Sequence, residues 1–288
     1  MTKQRLGVIG GSGLYELDGL ENRRWSEVVT PWGAPSDAIL TGELDGVEMA
    51  FLPRHGRGHT IPPGDLNARA NIAALKQLGC TDLLSISAVG SLQEALSPGT
   101  FVVVDQYIDR TVARPSSFFG PGIVAHVSLA DPVCPRLSDL AFKAGQASGA
   151  PMVQGGTYVA IEGPQFSTRA ESRLFRSWQC DVIGMTGMPE ARLAREAELP
   201  YACVGMVTDY DCWRANTADV QVTDVLAILR SNAAAARGLL RTLVRSLPKR
   251  REPSPIDTTL DLAVITPPDL WEPGLKAKLA AICPRKFA

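Results

Sequence analysis

The feature that most constrains the fold of this chain is an alternation of short apolar runs with longer segments of helical periodicity. The short runs, rich in β-branched residues, cover residues 5–10, 47–53, 82–87, 101–106, 157–163 and 201–209. Apolar residues recur at helical spacing within residues 66–79, 136–148, 167–178 and 188–199. The short runs are typical of buried strands and the periodic segments of amphipathic helices. Their alternation predicts an α/β sheet with helices on its faces.

Length and composition favour one large domain followed by an extension. The chain has 288 residues, of which 45% are hydrophobic, and such a chain can bury a sizeable core. A longer helix is predicted over residues 223–247, where apolar residues recur at three- and four-residue steps. The "PKRREPSP" that follows is charged and Pro-rich and is typical of a linker. We therefore predict a domain over residues 1–247 and an extension over residues 248–288, whose role the sequence does not indicate.

The charge balance disfavours nucleic acids and membranes as partners. The formal net charge is -1, and the longest Lys/Arg run is the "KRR" of residues 249–251, so a polyanion finds no basic surface. The six cysteines form no CxxC pair, and the chain has neither a signal-peptide pattern nor a run of about 18 apolar residues. We therefore expect a reduced, cytoplasmic protein.

Three predicted strands are followed by turns that suit an anion. Ligands of open α/β sheets bind at the carboxyl ends of the strands. Those ends carry "GGSGL" with Ser12, "RHGRGH" with Arg54 and His55, and "SISAVGS" with Ser87 and Ala88. Hydroxyl, guanidinium and backbone N–H groups that converge there can hold an oxyanion. Taken singly, each turn also fits ordinary structure: a tight turn, a solvated basic loop or a close-packed strand end.

The sequence predicts neither a metal ion nor an organic cofactor. His55 and His59 have no third ligand in view, because the only other histidine is His126. The glycine turn lacks the complete GxGxxG pattern and the acidic residue at the end of a second strand that a dinucleotide-binding oxidoreductase needs.

Two later motifs suit a flat ligand. Phe166 stands just before a Ser/Thr pair that can cap a helix, so its ring can either stack on a ligand at the helix mouth or pack against the helix. In "VIGMTGMPEA" the chain leaves a strand through Gly184, Met185 and Thr186 and restarts a helix near Pro189. A methionine at such a position commonly fills the core.

The stretch "VTDYDCW" brings two carboxylates to the end of an apolar run. If the strand continues to Asp211, Asp209 and Asp211 point to the same side. Buried beside apolar walls, two such groups disturb each other's ionisation, which suits acid–base chemistry. The alternative is a turn with two solvated aspartates.

Eight motifs together resemble the trimeric purine nucleoside phosphorylase family. In chain order they are "GVIGGSGL", "PRHGRGHTIPP", "SISAVGSL", "QYIDRT", "RPSSFF", "TYVAIEGPQFSTRAES", "DVIGMTGMPEA" and "TDYDCW". The resemblance as a whole spans about residues 6–247. The resemblance implies a single α/β domain with a mixed, partly barrel-like central sheet flanked by helices. It is closest to the members that cleave 5'-methylthioadenosine with phosphate to adenine and 5-methylthioribose 1-phosphate, in methionine and purine salvage.

The resemblance also implies site residues, a homotrimer, and no cofactor beyond phosphate as co-substrate. Positions that match the phosphate-binding motifs are Ser12, Arg54, His55, Ser87, Ala88 and Thr186. Positions that match the nucleoside-binding motifs are Phe166, Ile183, Met185, Thr208, Asp209 and Asp211, with Val222, Val225 and Leu226 toward the 5' substituent. His126 resembles the residue that reaches into a neighbouring subunit's site.

Purine chemistry assigns roles to the two aspartates. A purine leaves more easily when N7 is protonated, and Asp209 is the candidate acid if burial raises its pKa. Asp211 would stay ionised and accept from the 6-amino group, since a carboxylate can only accept. We therefore expect catalysis to depend on both.

One departure keeps other functions open. Gly184 stands where adenosine-type relatives often carry Asn, and "GMTGMPEA" resembles relatives that act on 5'-methylthioinosine. Those relatives lack the "TDYDCW" carboxylates, so phosphorolysis of 6-oxopurine nucleosides is the alternative. A non-catalytic nucleoside-binding protein is a further one, although it would have no need of an oxyanion site beside paired aspartates.

Overall fold

The computed structural model describes residues 2–11, 13–214 and 222–288, and for residues 2, 222–227, 229 and 230 it describes the backbone alone. The strands are β1 Thr2–Lys3, β2 Arg5–Gly10, β3 Glu21–Ser26, β4 Ile39–Leu44, β5 Val47–Pro53, β6 Asp82–Ser91, β7 Phe101–Val104, β8 Gln106–Arg110, β9 Met152–Gln154, β10 Thr157–Ile161, β11 Val182–Gly184, β12 Tyr201–Asp209 and β13 Arg250–Arg251. The helices are α1 Ala68–Gln77, α2 Pro135–Ala147, α3 Arg169–Ser177, α4 Gly187–Glu196, α5 Val222–Ser246, α6 Pro273–Leu279 and α7 Pro284–Phe287. None of the helices in the described ranges is long and apolar enough to cross a membrane.

The central sheet is mixed and branches at β6. Within the described residues, eleven strands form one sheet: eight follow the path β3-β4-β5-β2-β6-β11-β10-β8, β12 joins β6 to β7, and β9 pairs with β7. Strand β6 runs parallel to β2 over its first part and to β12 from Leu83 to Gly90, and it runs antiparallel to β11 at Gly90 and Ser91. The chain itself links the two arms of this branch. Strand β7 of one arm is followed, after Asp105, by strand β8 of the other, and β8 pairs with β10, which pairs with β11. The predicted α/β fold with a mixed, partly barrel-like sheet is confirmed.

The sheet is buried on both faces because its strands are apolar on both sides. Leu83 and Val89 of β6 pack into the cluster that contains α1 and α4. Leu84 and Ile86 of the same strand pack into the cluster that contains α2 and α5. These two layers fix β6 and β12 in the middle of the molecule, so the carboxyl ends of both strands are held rigidly.

The C-terminal extension packs onto the main body. Leu260, Leu279, Ile282 and Phe287 are buried in the same cluster as α1 and α4. Glu198 is 4% exposed, accepts hydrogen bonds from Leu260 N–H and Cys283 Sγ, and forms an ion pair with Arg285. The extension is therefore held by apolar and charged contacts, while its boundary as a separate unit stays a prediction.

Three of the predicted strands differ from the observed ones in extent; one of them, predicted over residues 157–163, ends at Ile161. The run predicted to end at Ser87 continues to Ser91, so "SISAVGS" lies within β6 rather than in a loop. The run predicted over residues 101–106 divides at Asp105 into β7 and β8. Strands β3 and β4 carry too many polar residues to show the apolar pattern: β3 is exposed along nearly its whole length. They are edge-side strands, which sequence periodicity detects poorly.

Candidate functional site

Arg54 lies at the carboxyl end of β5 and is 2% exposed, which excludes the solvated basic loop. Its Nε donates to Glu190 Oε1 at 2.5 Å, and its Nη2 donates to Ser85 Oγ at 2.7 Å and to the Ile9 carbonyl oxygen at 3.2 Å. Its Nη1 donates to the Ile86 carbonyl oxygen at 3.1 Å and more loosely to Ser87 Oγ at 3.4 Å. Each guanidinium nitrogen thus has a protein acceptor.

Glu190 of α4 is the partner that the sequence analysis missed. It is 3% exposed and also accepts from Ser85 Oγ at 3.1 Å and from Tyr201 Oη at 3.3 Å. Burial alone would lower the pKa of Arg54, but the charge of Glu190 raises it above its ordinary value. Arg54 therefore stays charged, and its charge is neutralised within the protein.

Ser87 and Thr186 bring two hydroxyl groups together beside this pair. Their oxygens are 2.7 Å apart, and both residues are buried. Thr186 directly precedes α4 but does not use its side chain to cap that helix. Ala88, the next residue of β6, is exposed although Ser87 and Val89 are buried. We call Arg54, Ser87, Thr186 and Glu190 the anion side; its two hydroxyl groups offer donors to an oxyanion.

His55 is neutral in this environment. Burial and the charge of Arg54 lower the pKa of its ring to about 4. Its Nδ1 lies 2.9 Å from the Ile61 carbonyl oxygen, which can only accept, so Nδ1 carries the proton and Nε2 is an acceptor. His55 Nε2 can therefore accept a hydrogen bond from a protonated oxygen of a ligand such as hydrogen phosphate, but it cannot donate one in this state.

Asp209 and Asp211 lie together over β6, in what we call the carboxylate turn, residues 208–213. A side chain at Gly90 would meet Asp209 Oδ1 at 3.1 Å and Asp211 Cβ at 3.5 Å. Asp209 Oδ2 accepts from Thr208 Oγ1 at 2.7 Å, and Asp209 Oδ1 accepts from the Asp211 N–H at 2.8 Å. The absence of a side chain at Gly90 is what lets the two carboxylates approach the strand.

The conformation of Asp211 corrects the premise on which the pair was predicted. Strand β12 ends at Asp209, and Asp211 has a φ of 51°, in the left-handed region. The two carboxylates meet because Asp209 caps the N–H two residues ahead, as aspartate does in turns, not because they alternate along a strand. The turn alternative is thus right about the backbone, but Asp211 is only 7% exposed rather than solvated.

The environment changes the acidity of both groups. Burial raises the pKa of the Asp209 carboxyl, although hydrogen bonds from Thr208 and the Asp211 N–H favour its charged form. Burial also raises the pKa of Asp211, which the Ser172 hydroxyl lowers and the negative charge of Asp209 raises again. A raised pKa favours the protonated form of a carboxyl, which is the form that can donate a proton.

Arg114 joins the two loops that carry the remaining predicted ligands. Its Nη1 donates to the carbonyl oxygens of Met185 at 2.5 Å and Met188 at 2.9 Å, and its Nη2 donates to the Glu162 carbonyl oxygen at 2.6 Å. The Met185 side chain lies against Gly163, where a Cβ would meet its sulfur at 2.4 Å. Phe166, further along the loop of Glu162, is 49% exposed, so its ring is not buried against α3 and remains available for stacking.

Gly184 is explained by its packing against Tyr158. A Cβ at position 184 would lie 2.0 Å from the Tyr158 hydroxyl oxygen, and Tyr158 is fully buried. That hydroxyl also accepts from Thr186 N–H at 3.4 Å. Glycine at this position therefore follows from the neighbouring tyrosine, and it gives no indication of a 6-oxopurine ligand.

The structure does not place all of the predicted residues in the site. Ile183 lies over Gly90 beside the carboxylate turn, since a Cβ at Gly90 would meet Ile183 at 3.0 Å and Asp209 Oδ1 at 3.1 Å, and Thr208 donates to Asp209. Ser12 lies outside the described residues, and only the backbone of α5 is described at Val222, Val225 and Leu226. His126 is exposed, and its N–H donates to the Ala263 carbonyl oxygen of the C-terminal extension at 2.9 Å.

The residues that the sequence analysis missed are Glu190, Arg114 and Ser172. Glu190 stands in "MPEA" and Arg114 in "RPSSFF", two of the motifs already singled out. A charged residue inside an otherwise apolar or small-residue motif is the signal that could have found both, because an unpaired charge is rarely buried. Ser172 shows no such signal in the sequence.

Comparison with known proteins places this geometry in context. A family model described as "Phosphorylase superfamily" matches residues 5–245. A protein of Cereibacter sphaeroides named S-methyl-5'-thioadenosine phosphorylase is 58% identical over 285 residues, which cover 98% of both chains. A protein of the same name from Rhodospirillum rubrum is 56% identical over 282 residues, 97% of this chain and 96% of that one.

Solved structures show the same likeness. A methylthioadenosine phosphorylase sourced from an antarctic soil metagenomic library superposes with a TM-score of 0.92 at 46% identity, over 99% of this chain and 100% of that one. Methylthioadenosine phosphorylase from Schistosoma mansoni, in complex with adenine, has a TM-score of 0.80 at 39% identity, over 84% of this chain and 91% of that one.

Proposed function

This chain belongs to the phosphorylase superfamily, and from that premise we propose that its site cleaves 5'-methylthioadenosine with inorganic phosphate to adenine and 5-methylthioribose 1-phosphate. The enzyme is a pentosyltransferase of the purine nucleoside phosphorylase type, as its relatives are. The observation that carries the substrate is the carboxylate turn, in which half-buried Asp209 and buried Asp211 lie side by side over Gly90.

The carboxylate turn supplies what a departing adenine needs. As the bond to the sugar stretches, the ribosyl ring becomes cationic and the purine gathers negative charge. Asp209, whose pKa burial raises, donates a proton toward N7 and so relieves that charge. Asp211 Oδ2 has no hydrogen-bond partner in the described part of the chain, and it accepts from the 6-amino group.

The anion side holds phosphate beside the sugar carbon that becomes cationic. Ser87 and Thr186 share one hydrogen bond, so one of their hydroxyl protons stays available for a phosphate oxygen. The loose 3.4 Å bond from Arg54 Nη1 to Ser87 is the one that most easily turns to the ligand. These groups mainly position the nucleophile and stabilise charge, since phosphate itself forms the new bond.

Phosphorolysis of 6-oxopurine nucleosides is not favoured. A 6-oxopurine presents an acceptor where Asp211 presents another acceptor, and two acceptors without a shared proton repel. The glycine that suggested this alternative is required by Tyr158. A relative from Schistosoma mansoni binds adenine, a 6-aminopurine.

The assembly and the setting of the reaction are part of the same proposal. We expect a cytoplasmic homotrimer that serves methionine and purine salvage, in which His126 enters a neighbouring subunit's site. In support, the His126 side chain is exposed and its backbone is held by the C-terminal extension. Sedimentation of the purified chain should give a trimer.

The reaction is tested by adding 5'-methylthioadenosine to the purified chain with and without phosphate. Adenine should appear only with phosphate or arsenate, and equal release in phosphate-free buffer would make the protein a hydrolase. Thr186→Val removes one hydroxyl of the anion side at nearly constant volume. It should raise the KM for phosphate by about 10-fold and that for the nucleoside far less, whereas Thr41→Val in β4 serves as the control.

A further inference from the structure

Ser172 is a buried serine whose hydroxyl group is not used in a hydrogen bond within the described chain. It lies on α3 and is fully buried. A serine inside a helix commonly bonds back to the carbonyl oxygen one turn earlier, yet within the described chain Ser172 Oγ has no hydrogen-bond partner. A buried hydroxyl without a hydrogen-bond partner lowers the stability of the folded protein. A hydrogen bond that forms when a ligand binds would offset this cost.

A second unpartnered atom lies next to it. Asp211 Oδ2 is also buried and also without a hydrogen-bond partner among the described residues. The carboxylate turn contacts the segment before α3, because Cys212 Sγ donates to the Ser167 carbonyl oxygen at 3.2 Å. The Ser172 hydroxyl favours the charged form of Asp211, although neither atom has a formed hydrogen bond in the described chain. A bond between them would satisfy both the donor and the acceptor.

The other groups around Asp211 push it toward protonation. Asp209 on β12 and Glu171 on α3 are negative, and both act with burial to raise the pKa of Asp211. The nearby cations Arg176 and Arg214 lie against the rings of Trp213 and Tyr210. Besides the Cys212 N–H, the Ser172 hydroxyl is the neutral donor that opposes this tendency.

We propose that Ser172 is a positioning residue for base recognition: its hydroxyl donates to Asp211 when the base binds and keeps that carboxylate an acceptor for an exocyclic amino group. This inference rests on the proposed function and adds the residue that decides which aspartate carries the proton. With Ser172 bonded to Asp211, the proton stays on Asp209. Without it, Asp211 competes for the proton and then presents a donor, which suits a 6-oxo group.

The test compares Ser172→Ala with Ser177→Ala, which removes an exposed hydroxyl from the same helix. Binding of adenine and of hypoxanthine is measured by calorimetry from pH 5 to 8 in the presence of phosphate. Ser172→Ala should weaken adenine binding by about 10-fold, the scale for a hydrogen bond to a charged group, and should leave hypoxanthine binding unchanged or make it stronger. Because loss of a donor to the charged form raises the pKa of Asp211, the acid limb of adenine binding should move to higher pH.

Thermal unfolding separates this role from a structural one. Removing a hydroxyl that is unpartnered in the free protein should not lower Tm, and Ser172→Cys, which keeps a weak donor, should fall between the wild type and Ser172→Ala in adenine affinity. An unchanged ratio of adenine to hypoxanthine affinity, an equal loss for both bases, or a Ser172→Ala protein that unfolds would each overturn the proposal. The proposed function fails separately, if the wild type releases no adenine from the nucleoside.

Discussion

On the anion side the buried charge of Arg54 is met by Glu190 at 2.5 Å, and both side chains are at most 4% exposed. In the carboxylate turn, half-buried Asp209 lies beside buried Asp211, and Asp209 accepts from the Thr208 hydroxyl and from the Asp211 N–H. One side is charge-balanced before any ligand arrives, whereas the other keeps unused acceptor capacity at Asp211 Oδ2.

The difference follows from what each side binds. A phosphate ion brings its own charge and its own nucleophilic oxygen, so the protein needs only a fixed frame of donors, which the Ser87 and Thr186 hydroxyls supply beside the neutralised Arg54. A purine must be protonated and read, and that requires carboxyls whose pKa values are raised and whose lone pairs are free. The balanced ion pair of the anion side therefore stabilises the fold, whereas the neighbouring carboxyls of the carboxylate turn lower its stability, as is common at active sites.

The largest effect should come from breaking the balance on the anion side. Glu190→Gln leaves Arg54 buried and charged with no opposite charge, so the free energy of unfolding should fall by about 3–5 kcal/mol. Chemical denaturation at one fixed protein concentration measures it. Asp139→Asn, which breaks the exposed pair of Asp139 with Lys143, should cost less than about 1 kcal/mol. A loss in Glu190→Gln no larger than that of the control would show that the buried pair is not what stabilises this side.

The next effect concerns chemistry in the carboxylate turn. Asp209→Asn replaces the candidate acid with an amide that cannot donate an acidic proton, so kcat/KM for 5'-methylthioadenosine should fall by at least about 100-fold. The preference for inosine over adenosine should rise, because an amide can donate to a 6-oxo group. Base release from both nucleosides at saturating phosphate gives the ratio. If it keeps its wild-type value, Asp209 does not recognise the base.

The smallest effect has the opposite sign to the first. Asp211→Asn removes a buried charge that lies beside another, so it should raise the free energy of unfolding near neutral pH by about 0.5–2 kcal/mol while adenine binding weakens. Since burial raises the pKa of Asp211 in the folded state, the native protein binds more protons than the unfolded chain above the unfolded pKa of about 4. Wild-type stability should therefore fall as pH rises through that window.

The Asp211→Asn variant should lose part of that dependence on pH. Denaturation curves collected from pH 4 to 8 would show it as a flatter slope than in the wild type. A variant that is less stable than the wild type at neutral pH would mean that Asp211 supports the turn rather than straining it, and the contrast between the two sides would then be wrong.

The strands that carry the site can be predicted from the amino-acid sequence alone, together with the polar residues at their ends. Strand β2 and strand β12 begin and end where their apolar runs predict, because a buried strand must be apolar on both faces. Asp209, Arg54 and Ser87 were singled out for the same reason: a polar residue at the end of such a run is seldom there for packing. The family motifs then indicated the reaction.

The pairing of these residues, in contrast, depends on the tertiary structure. Arg54 meets Glu190 from 136 residues further along the chain, and Ser87 meets Thr186 from 99 residues further along, and no local periodicity encodes such contacts. The left-handed turn at Asp211 and the space that Gly184 leaves for Tyr158 likewise depend on what packs against them. Local residue patterns fix where a strand runs, but charge balance, pKa values and hydrogen bonding depend on neighbours that only the folded chain brings together.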